Sequence, residues 1–331
     1  MLTFGLLGCG RIGQVHARSL ARHETAELVA VADALPEAAG ALAAKCGAVV
    51  RSAESIIDAT DIDAVIVATP TTLHFDQIHA LAGAGKAIFC EKPIDLSSQR
   101  AALCREAVEA AAVPFMTAFN RRFDPQFATV QQRLAAGEIG KIEFVSVTSR
   151  DPGPPPISYI EKSGGLFRDM MIHDFDMARF LLGEEPVEIH AEGACLVDPQ
   201  IGEAGDIDTA AVTLKTASGK LCQINNSRRA AYGYDQRVEV HGSKGMLQAS
   251  NQLENLVTQA GVAGFATAPN KHFFLERYEA AYLAEISAFV KAVEGGGRLS
   301  PSIADGVAAQ RLADAAARSF ETGLPQSIAY A

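Results

Sequence analysis

Short, nearly continuous apolar runs alternate with helical patterns over the first 120 residues of the chain. Apolar runs of about four to eight residues are typical of parallel strands that are buried on both faces. The predicted strands are Leu2–Leu7, Leu28–Ala32, Ala64–Ala68, Ala87–Cys90 and Pro114–Ala118, and helical patterns between them include Ile12–Arg22, Leu73–Ala82 and Ser98–Ala112. The alternation predicts a doubly wound α/β domain with a parallel sheet over residues 1–120.

The pattern changes after residue 120 and predicts an α+β domain over residues 121–331. The predicted helices are Asp124–Ala136, Leu166–Leu182, Leu275–Val293 and Ile303–Glu321, and the predicted strands are Ile142–Thr148 and several more between Val187 and Ala249. Hairpin turn signals at Ala217–Lys220 and Gly242–Gly245 favour a largely antiparallel, open sheet. The proline-rich run Asp151–Pro156 predicts an extended loop. The last helix is a candidate to pack on the first domain.

Strand patterns in the second domain carry apolar residues on both faces, as in Ala210–Leu214. An antiparallel sheet of this kind usually has one covered and one exposed face. We therefore expect a subunit partner to cover the second face.

Composition excludes several function classes. The chain has 331 residues and a formal net charge of −10, which argues against a general affinity for nucleic-acid phosphates. Its six cysteines show no C-x-x-C spacing, so reduced, mostly buried thiols are expected rather than a zinc site. The apolar start of the chain is broken by glycine far short of the ~20 residues that span a bilayer. A cytoplasmic protein without a membrane partner is expected.

A glycine-rich turn directly follows the first predicted strand. Gly8, Gly10 and Gly13 form G-x-G-x-x-G, with Arg11 and Ile12 inside the motif. The motif alone is weak, but between a strand and a helix it indicates a dinucleotide-binding turn. The glycines allow a tight turn, a close approach of the backbone to pyrophosphate, and packing of helix on strand.

A carboxylate at the end of the second apolar run indicates which cofactor is bound. Asp33 lies 20 residues after Gly13, where a carboxylate accepts hydrogen bonds from ribose hydroxyls and repels a 2′-phosphate. NAD is therefore predicted over NADP. The alternative is an aspartate that only caps a turn or helix.

Further polar residues follow the third predicted strand. Thr69, Pro70 and Thr71 lie where ligands bind in such sheets, and His74 comes shortly after them. We predict that these four residues line the cofactor site. Two alternatives stay open: Thr71 as a helix cap, and His74 on a solvated helix face.

Glu91 and Lys92 end the fourth predicted strand, at the same sheet edge. An ammonium group placed there hydrogen-bonds a reacting oxygen and stabilises negative charge as it develops. Glu91 is predicted to pair with Lys92 or to orient it beside the cofactor. A surface lysine is the alternative.

Asp169, His173 and Asp176 are spaced i, i+4 and i+7, which predicts one shared helical face. Histidine has a reference pKa near about 6.5, suitable for accepting an alcohol proton. Asp169 is predicted to orient His173 or to hold a neighbouring hydroxyl. Metal binding by these residues is a rival, but no metal is needed if Lys92 supplies the positive charge.

These motifs together resemble the Gfo/Idh/MocA oxidoreductase family. The resemblance rests on Gly8–Gly13, on Glu91-Lys92-Pro93 and on Gly164–Asp176, and it spans nearly the whole chain. It implies a Rossmann domain, a substrate domain whose open sheet forms dimer and tetramer contacts, and a reaction at the cleft between the domains. The implied catalytic residues are Lys92, Asp169 and His173; the implied substrate residues are Asn120, Arg122, Asp151, Asp169, His173 and one of Tyr232 and Tyr234.

The resemblance also narrows the expected activity. Ser149–Pro156, Gly164–Leu182 and Tyr232–Arg237 look like stretches of family members that oxidise myo-inositol to its 2-ketone with NAD. A cyclic polyol offers only hydroxyl groups, so its selection needs many hydrogen-bonding side chains. The alternatives are scyllo-inositol, D-chiro-inositol or an aldose as substrate, and a regulator that binds NAD without catalysis. A short-chain dehydrogenase is disfavoured because Tyr159 and Lys162 lack the Y-x-x-x-K spacing.

Overall fold

The computed structural model describes residues 1–330 and divides into two compact units. The first unit contains residues 1–123 and 280–310, and the second contains residues 124–279 and the chain from Arg311 onward. Residues 280–310 of the predicted second domain therefore belong to the first unit.

The first unit begins with alternating strands and helices. In chain order these are β1 (Leu2–Leu7), α1 (Arg11–Leu20), β2 (Ala26–Ala32), α2 (Pro36–Cys46), β3 (Val49–Val50), α3 (Ala53–Ile57), β4 (Ala64–Val67), α4 (His74–Gly83), β5 (Ala87–Cys90), α5 (Ser98–Ala111) and β6 (Phe115–Thr117). Two short 3₁₀ segments, Thr71–Leu73 and Asn120–Phe123, follow β4 and β6. The strands pair in parallel in the order β3-β2-β1-β4-β5-β6, which confirms the predicted doubly wound sheet.

The central strands are buried on both faces, as their apolar runs predicted. Successive residues along β4 enter different cores: Ala64 and Ile66 belong to one apolar cluster, and Val65 and Val67 to the other. This follows from the two-residue period of a strand. Polar side chains have no place inside such strands and are confined to the strand ends.

The second unit is built on a mixed, mostly antiparallel sheet. Its elements before residue 280 are α6 (Pro125–Ala135), β7 (Ile142–Arg150), α7 (Ile157–Ser163), α8 (Leu166–Asp169), α9 (Ile172–Leu182), β8 (Pro186–Ala194), α10 (Pro199–Glu203), β9 (Thr209–Thr216), β10 (Leu221–Ser227), β11 (Asp235–Gly242), β12 (Gly245–Ala249), β13 (Thr258–Gly261), β14 (Gly264–Thr267) and α11 (Phe274–Arg277). Both predicted hairpin turns are confirmed, between β9 and β10 and between β11 and β12. One neighbouring pair, β7 with β10, is parallel.

Two long helices and a short strand complete the chain: α12 (Glu279–Gly295), α13 (Ile303–Thr322) and β15 (Gln326–Ser327). The large sheet has the order β12-β11-β7-β10-β9-β8-β15. Phe289 of α12 packs in the core of the first unit, and Val307 of α13 packs in the other apolar cluster of that unit. The predicted single helix Leu275–Val293 is divided at Tyr278, whose buried hydroxyl donates to Gln236 Oε1 at 3.1 Å. Within residues 1–330, every helix falls short of the length and apolarity needed to cross a membrane.

The second face of the large sheet is more polar than the apolar pattern predicted. Along β9, Ala210, Val212 and Leu214 are buried, whereas the intervening residues, Ala211 and Thr213, are exposed. The alternation is the ordinary one for an antiparallel sheet with one covered face.

A buried ion pair fastens α6 to α11 in the second unit. Asp124 caps α6, where its Oδ1 accepts hydrogen bonds from the amides of Gln126 and Phe127 at 3.1 and 3.2 Å. Its Oδ2 also accepts from the guanidinium of Arg277. Both side chains of the pair are about 1% exposed. Removing one partner leaves the other charge buried without its counter-ion.

We predict that Asp124→Ala lowers the free energy of unfolding by about 3–5 kcal/mol, the usual cost of breaking a buried ion pair. Chemical denaturation followed by circular dichroism measures this loss. Glu138→Ala is the control, because the Arg133–Glu138 pair is largely exposed and its removal should change little. Equal effects of the two substitutions would contradict the role assigned to Asp124.

Candidate active site

The glycine-rich turn after β1 has two glycines that the protein itself requires. Gly8 has φ +96°, and a Cβ there would collide with the carbonyl of Ala68. A Cβ at Gly13 would collide with the carbonyl of Gly8. Both observations match the tight turn and the helix-on-strand packing predicted for these glycines.

Gly10 differs from the other two glycines of the motif. It is exposed at the N-cap of α1, and a Cβ there would meet no protein atom within 4 Å. No side chain caps the helix at this position, and the first amides of α1, which include those of Arg11 and Ile12, come before the regular hydrogen-bond ladder of the helix. An open helix N-terminus beside a residue without a side chain fits a pyrophosphate group. A glycine here is explained by a ligand and not by packing.

Asp33 follows β2 and is tied to this turn. Its Oδ2 accepts the amide of Cys9 at 2.6 Å, and its Oδ1 accepts the amide of Leu35 at 2.8 Å. The carboxylate therefore has the turn-forming role considered as the alternative, and it also lies next to the glycine turn. Burial and Asp33 raise the pKa of Cys9 to about 11, so that thiol stays protonated at neutral pH.

The residues after β4 are held by His74, which lies at the start of α4. His74 is 1% exposed, so the alternative of a solvated helix face is wrong. Its Nε2 lies 2.9 Å from the carbonyl oxygen of Thr69, and its Nδ1 lies 2.9 Å from that of Pro93. Burial lowers the pKa of His74, and the two carbonyl acceptors oppose that shift. The ring therefore joins the loop that carries Thr69 to the loop that carries Lys92.

The threonines after β4 do not cap α4. A 3₁₀ segment, Thr71–Leu73, separates them from the helix, and Leu73 occupies the N-cap position. Thr69 instead donates its hydroxyl to Gln77 Oε1 at 2.6 Å. Pro70 is exposed and Thr71 half-buried, at the same edge of the sheet as the glycine turn.

Glu91 and Lys92 follow β5, and the carboxylate of Glu91 has a partner that the sequence did not reveal. His16 on α1 is fully buried, and its Nε2 lies 2.7 Å from Glu91 Oε1. Lys92 is half-buried directly after this anchored residue. No pattern in the sequence relates His16 to Glu91, because the two are 75 positions apart.

Asn120 and Arg122 lie in the 3₁₀ segment after β6. Asn120 is 3% exposed. Arg122 Nη2 lies 3.0 Å from Asp305 Oδ1, and Nη1 donates to Ser300 Oγ at 3.3 Å. The guanidinium predicted to contact substrate is thus fixed by a carboxylate at the start of α13.

The helix predicted over Leu166–Leu182 is interrupted, so Asp169 does not lie on the same helix as His173 and Asp176. The amide of Met171 bonds back to the carbonyl of Leu166, five residues earlier, and the regular hydrogen-bond ladder restarts from Met171. Asp169 ends α8 and His173 lies in the first turn of α9. Asp176 lies three residues after His173 in α9, is 1% exposed and forms an ion pair with Arg179 at 3.5 Å.

Asp169 instead belongs to a cluster drawn from several elements of the second unit. Tyr159 on α7 donates its hydroxyl to Asp169 Oδ1 at 2.7 Å. Arg228, which follows β10, places its Nη2 3.5 Å from Asp169 Oδ2. Asp151 follows β7, and its charge, with that of Asp169, raises the pKa of Tyr159, although burial is the larger cause. Sequence reasoning missed Tyr159 and Arg228 as members of this cluster.

The two glycines before α8 are explained by the backbone conformation and by a contact within the protein. Gly164 and Gly165 have φ +85° and +84°. A Cβ on Gly165 would lie 3.0 Å from Asp206 Oδ1, which accepts the amide of Leu166 at 2.9 Å. The space beside Gly165 is therefore occupied by Asp206.

The two candidate tyrosines lie in different surroundings. Tyr232 is 50% exposed; its hydroxyl donates to Asp235 Oδ2 at 2.6 Å and accepts from Arg150 Nη1 at 2.8 Å. Tyr234 is 6% exposed and packs edge-to-face against the rings of Phe273 and Tyr278.

The comparisons with known proteins match the whole chain. Residues 2–119 match the model of an oxidoreductase family with an NAD-binding Rossmann fold, and residues 127–248 match the Gfo/Idh/MocA C-terminal domain. The chain belongs to the Gfo/Idh/MocA family of NAD-binding oxidoreductases. The family resemblance inferred from the motifs is confirmed.

Individual relatives cover nearly the full length on both sides. An inositol 2-dehydrogenase of Rhizobium meliloti is 54% identical over 99% of each chain. A myo-inositol 2-dehydrogenase of Thermotoga maritima is 43% identical over 97% of this chain and 96% of its own. A crystal structure of a putative myo-inositol dehydrogenase from Sinorhizobium meliloti has a TM-score of 0.97 at 53% identity and covers 99% of this chain and 100% of its own. A scyllo-inositol dehydrogenase from Lactobacillus casei, with bound NAD(H) and scyllo-inositol, has a TM-score of 0.93 at 30% identity over 99% of each chain.

We predict that Gly10→Ala mainly weakens NADH binding and that Gly13→Ala mainly lowers thermal stability. Gly10→Ala should leave thermal stability nearly unchanged and weaken NADH binding roughly tenfold or more, about 1.4 kcal/mol, because its methyl occupies the space for phosphate. Gly13→Ala should destabilise the fold, because its methyl meets the backbone. Fluorescence titration with NADH and thermal unfolding separate the two effects. Unchanged NADH affinity in Gly10→Ala would refute the assignment of the phosphate site.

Proposed function

We propose that this protein catalyses the NAD-dependent oxidation of myo-inositol to its 2-ketone, scyllo-inosose. The observation that carries the proposal is the cluster around Asp169 in the second unit. Asp151 and Tyr159 accompany Asp169 there, His173 follows at the start of α9, and all four side chains carry groups that can form hydrogen bonds. A substrate that offers only hydroxyl groups is selected by such groups. The names of the full-length relatives support an inositol as substrate.

Three residues of the chain would have separate roles in the oxidation of a bound polyol. Oxidation of a secondary alcohol removes a proton from the hydroxyl oxygen and a hydride from its carbon. His173 takes the proton, and Lys92 donates a hydrogen bond to the oxygen and stabilises the charge that develops on it. Asp169 holds a neighbouring hydroxyl and supports His173. Bound NAD supplies the hydride acceptor. Lys92 belongs to the first unit, and Asp169 and His173 belong to the second.

The residues that would hold the cofactor lie together at one edge of the parallel sheet. The phosphates are assigned to the amides after Gly10, and the ribose to Asp33, whose charge excludes a 2′-phosphate. Thr69, Pro70, Thr71 and Glu91 border the same edge, and His74 supports two of its loops.

Substrate identity within the polyols depends on the arrangement of hydroxyls. The scyllo-inositol dehydrogenase that shares this fold shows that relatives differ in the isomer they bind. D-chiro-inositol and aldoses present their hydroxyls in further arrangements and are candidate substrates as well. A regulator without catalysis is less consistent with the chain, since binding NAD alone does not require Lys92, Asp169 and His173 together.

We predict that NADH forms when the purified protein is given NAD and myo-inositol, with little activity on NADP. Lys92→Ala and His173→Ala should each lose roughly 10²–10⁴ in rate, the range for a positioned acid, base or oxygen-binding group. Steady-state assays with myo-, scyllo- and D-chiro-inositol and glucose measure this. Lys141→Ala, an exposed lysine of the second unit, is the control. Near-normal turnover in either variant would refute its role, and NAD binding without any polyol oxidation would favour the regulator.

We infer that the protein forms a dimer or tetramer in the cytoplasm. Three exposed apolar residues lie in one row across the open sheet: Met246, Phe144 and Leu221, which are 46%, 36% and 38% exposed. His241 of β11 lies opposite both Met246 and Phe144, and Phe144 lies opposite Leu221. A second copy of the chain would cover this row and remove its apolar surface from water.

Size-exclusion chromatography with light scattering is expected to report a mass of two or four chains. Leu221→Glu places a charge in the apolar row and should shift the protein towards smaller species, whereas Lys215→Glu on the neighbouring strand changes charge without removing apolar surface. A monomeric wild-type protein would contradict the oligomer.

A further inference from the structure

One carboxylate oxygen of Asp169 accepts a hydrogen bond and the other faces a guanidinium, and both partners belong to the second unit. Tyr159 donates to Oδ1 at 2.7 Å, and the Arg228 guanidinium faces Oδ2, with Nη2 at 3.5 Å. Asp169 is itself the last residue of a helix of four residues, α8. So short a helix does not fix the direction of a side chain at its end, because its own hydrogen bonds are few. The orientation of the carboxylate must come from its partners.

Arg228 is placed to supply a fixed positive charge. Its side chain is 1% exposed, although arginine is almost never fully buried unless paired. The residue follows β10, and its amide donates to the carbonyl of Asp208 at 2.8 Å, which anchors its backbone. The same Nη2 lies 3.5 Å from Asp206 Oδ2, so the guanidinium is shared between two carboxylates. A planar guanidinium suits this arrangement better than an ammonium group.

Asp206 connects this charge to the other end of α8. Its Oδ1 accepts the amide of Leu166 at 2.9 Å, at the first residue of the helix. Its Oδ2 faces Arg228. One carboxylate therefore links the start of α8 to the guanidinium that faces the end of α8. The positive φ and the missing Cβ of Gly165 make room for this link.

Tyr159 contributes a phenol hydroxyl that stays protonated and therefore remains a hydrogen-bond donor. Burial of its hydroxyl and the neighbouring Asp169 both raise the pKa of Tyr159, so the phenol stays neutral across the pH range in which enzymes work. A neutral phenol has one proton to donate, and Asp169 receives it. The ring itself is half exposed, so the hydroxyl is the part of this residue that the protein fixes.

We propose that Arg228 and Tyr159 are positioning residues for Asp169: together they set the direction and preserve the charge of the carboxylate that holds the polyol beside His173. This inference rests on the proposed function. Tyr159 lies in α7 and Arg228 follows β10, 69 positions later in the sequence. Each of them faces one oxygen of the Asp169 carboxylate. Neither is assigned a contact with the reacting oxygen.

Tyr159→Phe is the sharpest test, because it removes one hydroxyl from a half-exposed ring and should leave the fold intact. We expect unchanged thermal unfolding, unchanged NADH affinity and a loss of roughly ten- to hundredfold in kcat/KM for myo-inositol, the size of a lost hydrogen bond to a charged group. The deuterium isotope effect with myo-inositol deuterated at the oxidised carbon should rise, because hydride transfer from a misplaced substrate becomes slower relative to binding. A mere loss of active protein lowers the rate without changing the isotope effect.

Arg228→Lys and Arg228→Gln test the role of the positive charge on Arg228, which the lysine variant keeps and the glutamine variant removes. The lysine variant should retain more activity than the glutamine variant, and both should show the raised isotope effect. Arg277→Lys is the matched control, since Arg277 is equally buried and pairs with Asp124, away from Asp169. It should leave kcat/KM and the isotope effect unchanged. If Arg228→Gln fails to fold, Tyr159→Phe still decides the proposal.

The experiments distinguish a failure of the proposed function from a failure of the positioning role. A wild-type protein that oxidises no polyol, with Lys92→Ala and His173→Ala no different from it, would overturn the proposed function. An active wild type, with Tyr159→Phe unchanged in kcat/KM and isotope effect, would overturn the positioning role and leave the function in place.

Discussion

The burial of the parallel strands on both faces is the constraint on which the candidate site depends. Strands such as β4 send alternate side chains into two apolar cores and leave no position for a polar group along their length. Polar chemistry is therefore confined to the strand ends. Parallel strands end at the same edge of a sheet, so Gly10 after β1, Asp33 after β2, Thr69 after β4 and Lys92 after β5 share one edge although they are far apart in sequence.

Placing these groups at one edge does not fix the directions of their side chains. A second set of buried polar residues orients them. His16 holds Glu91 next to Lys92, and His74 bridges two carbonyl groups on adjacent loops. In the second unit, the buried guanidinium of Arg228 faces the carboxylate of Asp169 at 3.5 Å. A buried polar group costs free energy unless it is paired, so each of these side chains has few other stable arrangements. That restriction limits the directions open to the candidate site residues that these side chains contact.

The sequence predicted the architecture better than it predicted the tertiary contacts of the candidate site residues. Runs of apolar residues and a two-residue period predict strands, and these predictions are confirmed, since burial on both faces leaves a direct mark on composition. Helical periodicity failed over Leu166–Leu182 and Leu275–Val293, because it does not detect where the backbone hydrogen-bond ladder is interrupted, as it is at Met171 and at Tyr278. The His16–Glu91 contact, over 75 positions, has no local pattern at all.

The two tyrosines show how geometry adds what spacing could not. Tyr232 and Tyr234 are two residues apart, and the sequence left them equivalent as polyol contacts. In the structure, Gly233 with φ +102° lies between them and their surroundings differ. The hydroxyl of Tyr232 already donates to one carboxylate and accepts from one guanidinium, whereas the ring of Tyr234 is enclosed by other aromatic rings. A phenol has one proton to donate, so Tyr232 can bind a polyol as a donor only by giving up Asp235. Such an exchange leaves a buried carboxylate with one partner fewer, and that cost opposes Tyr232 as a donor to a polyol.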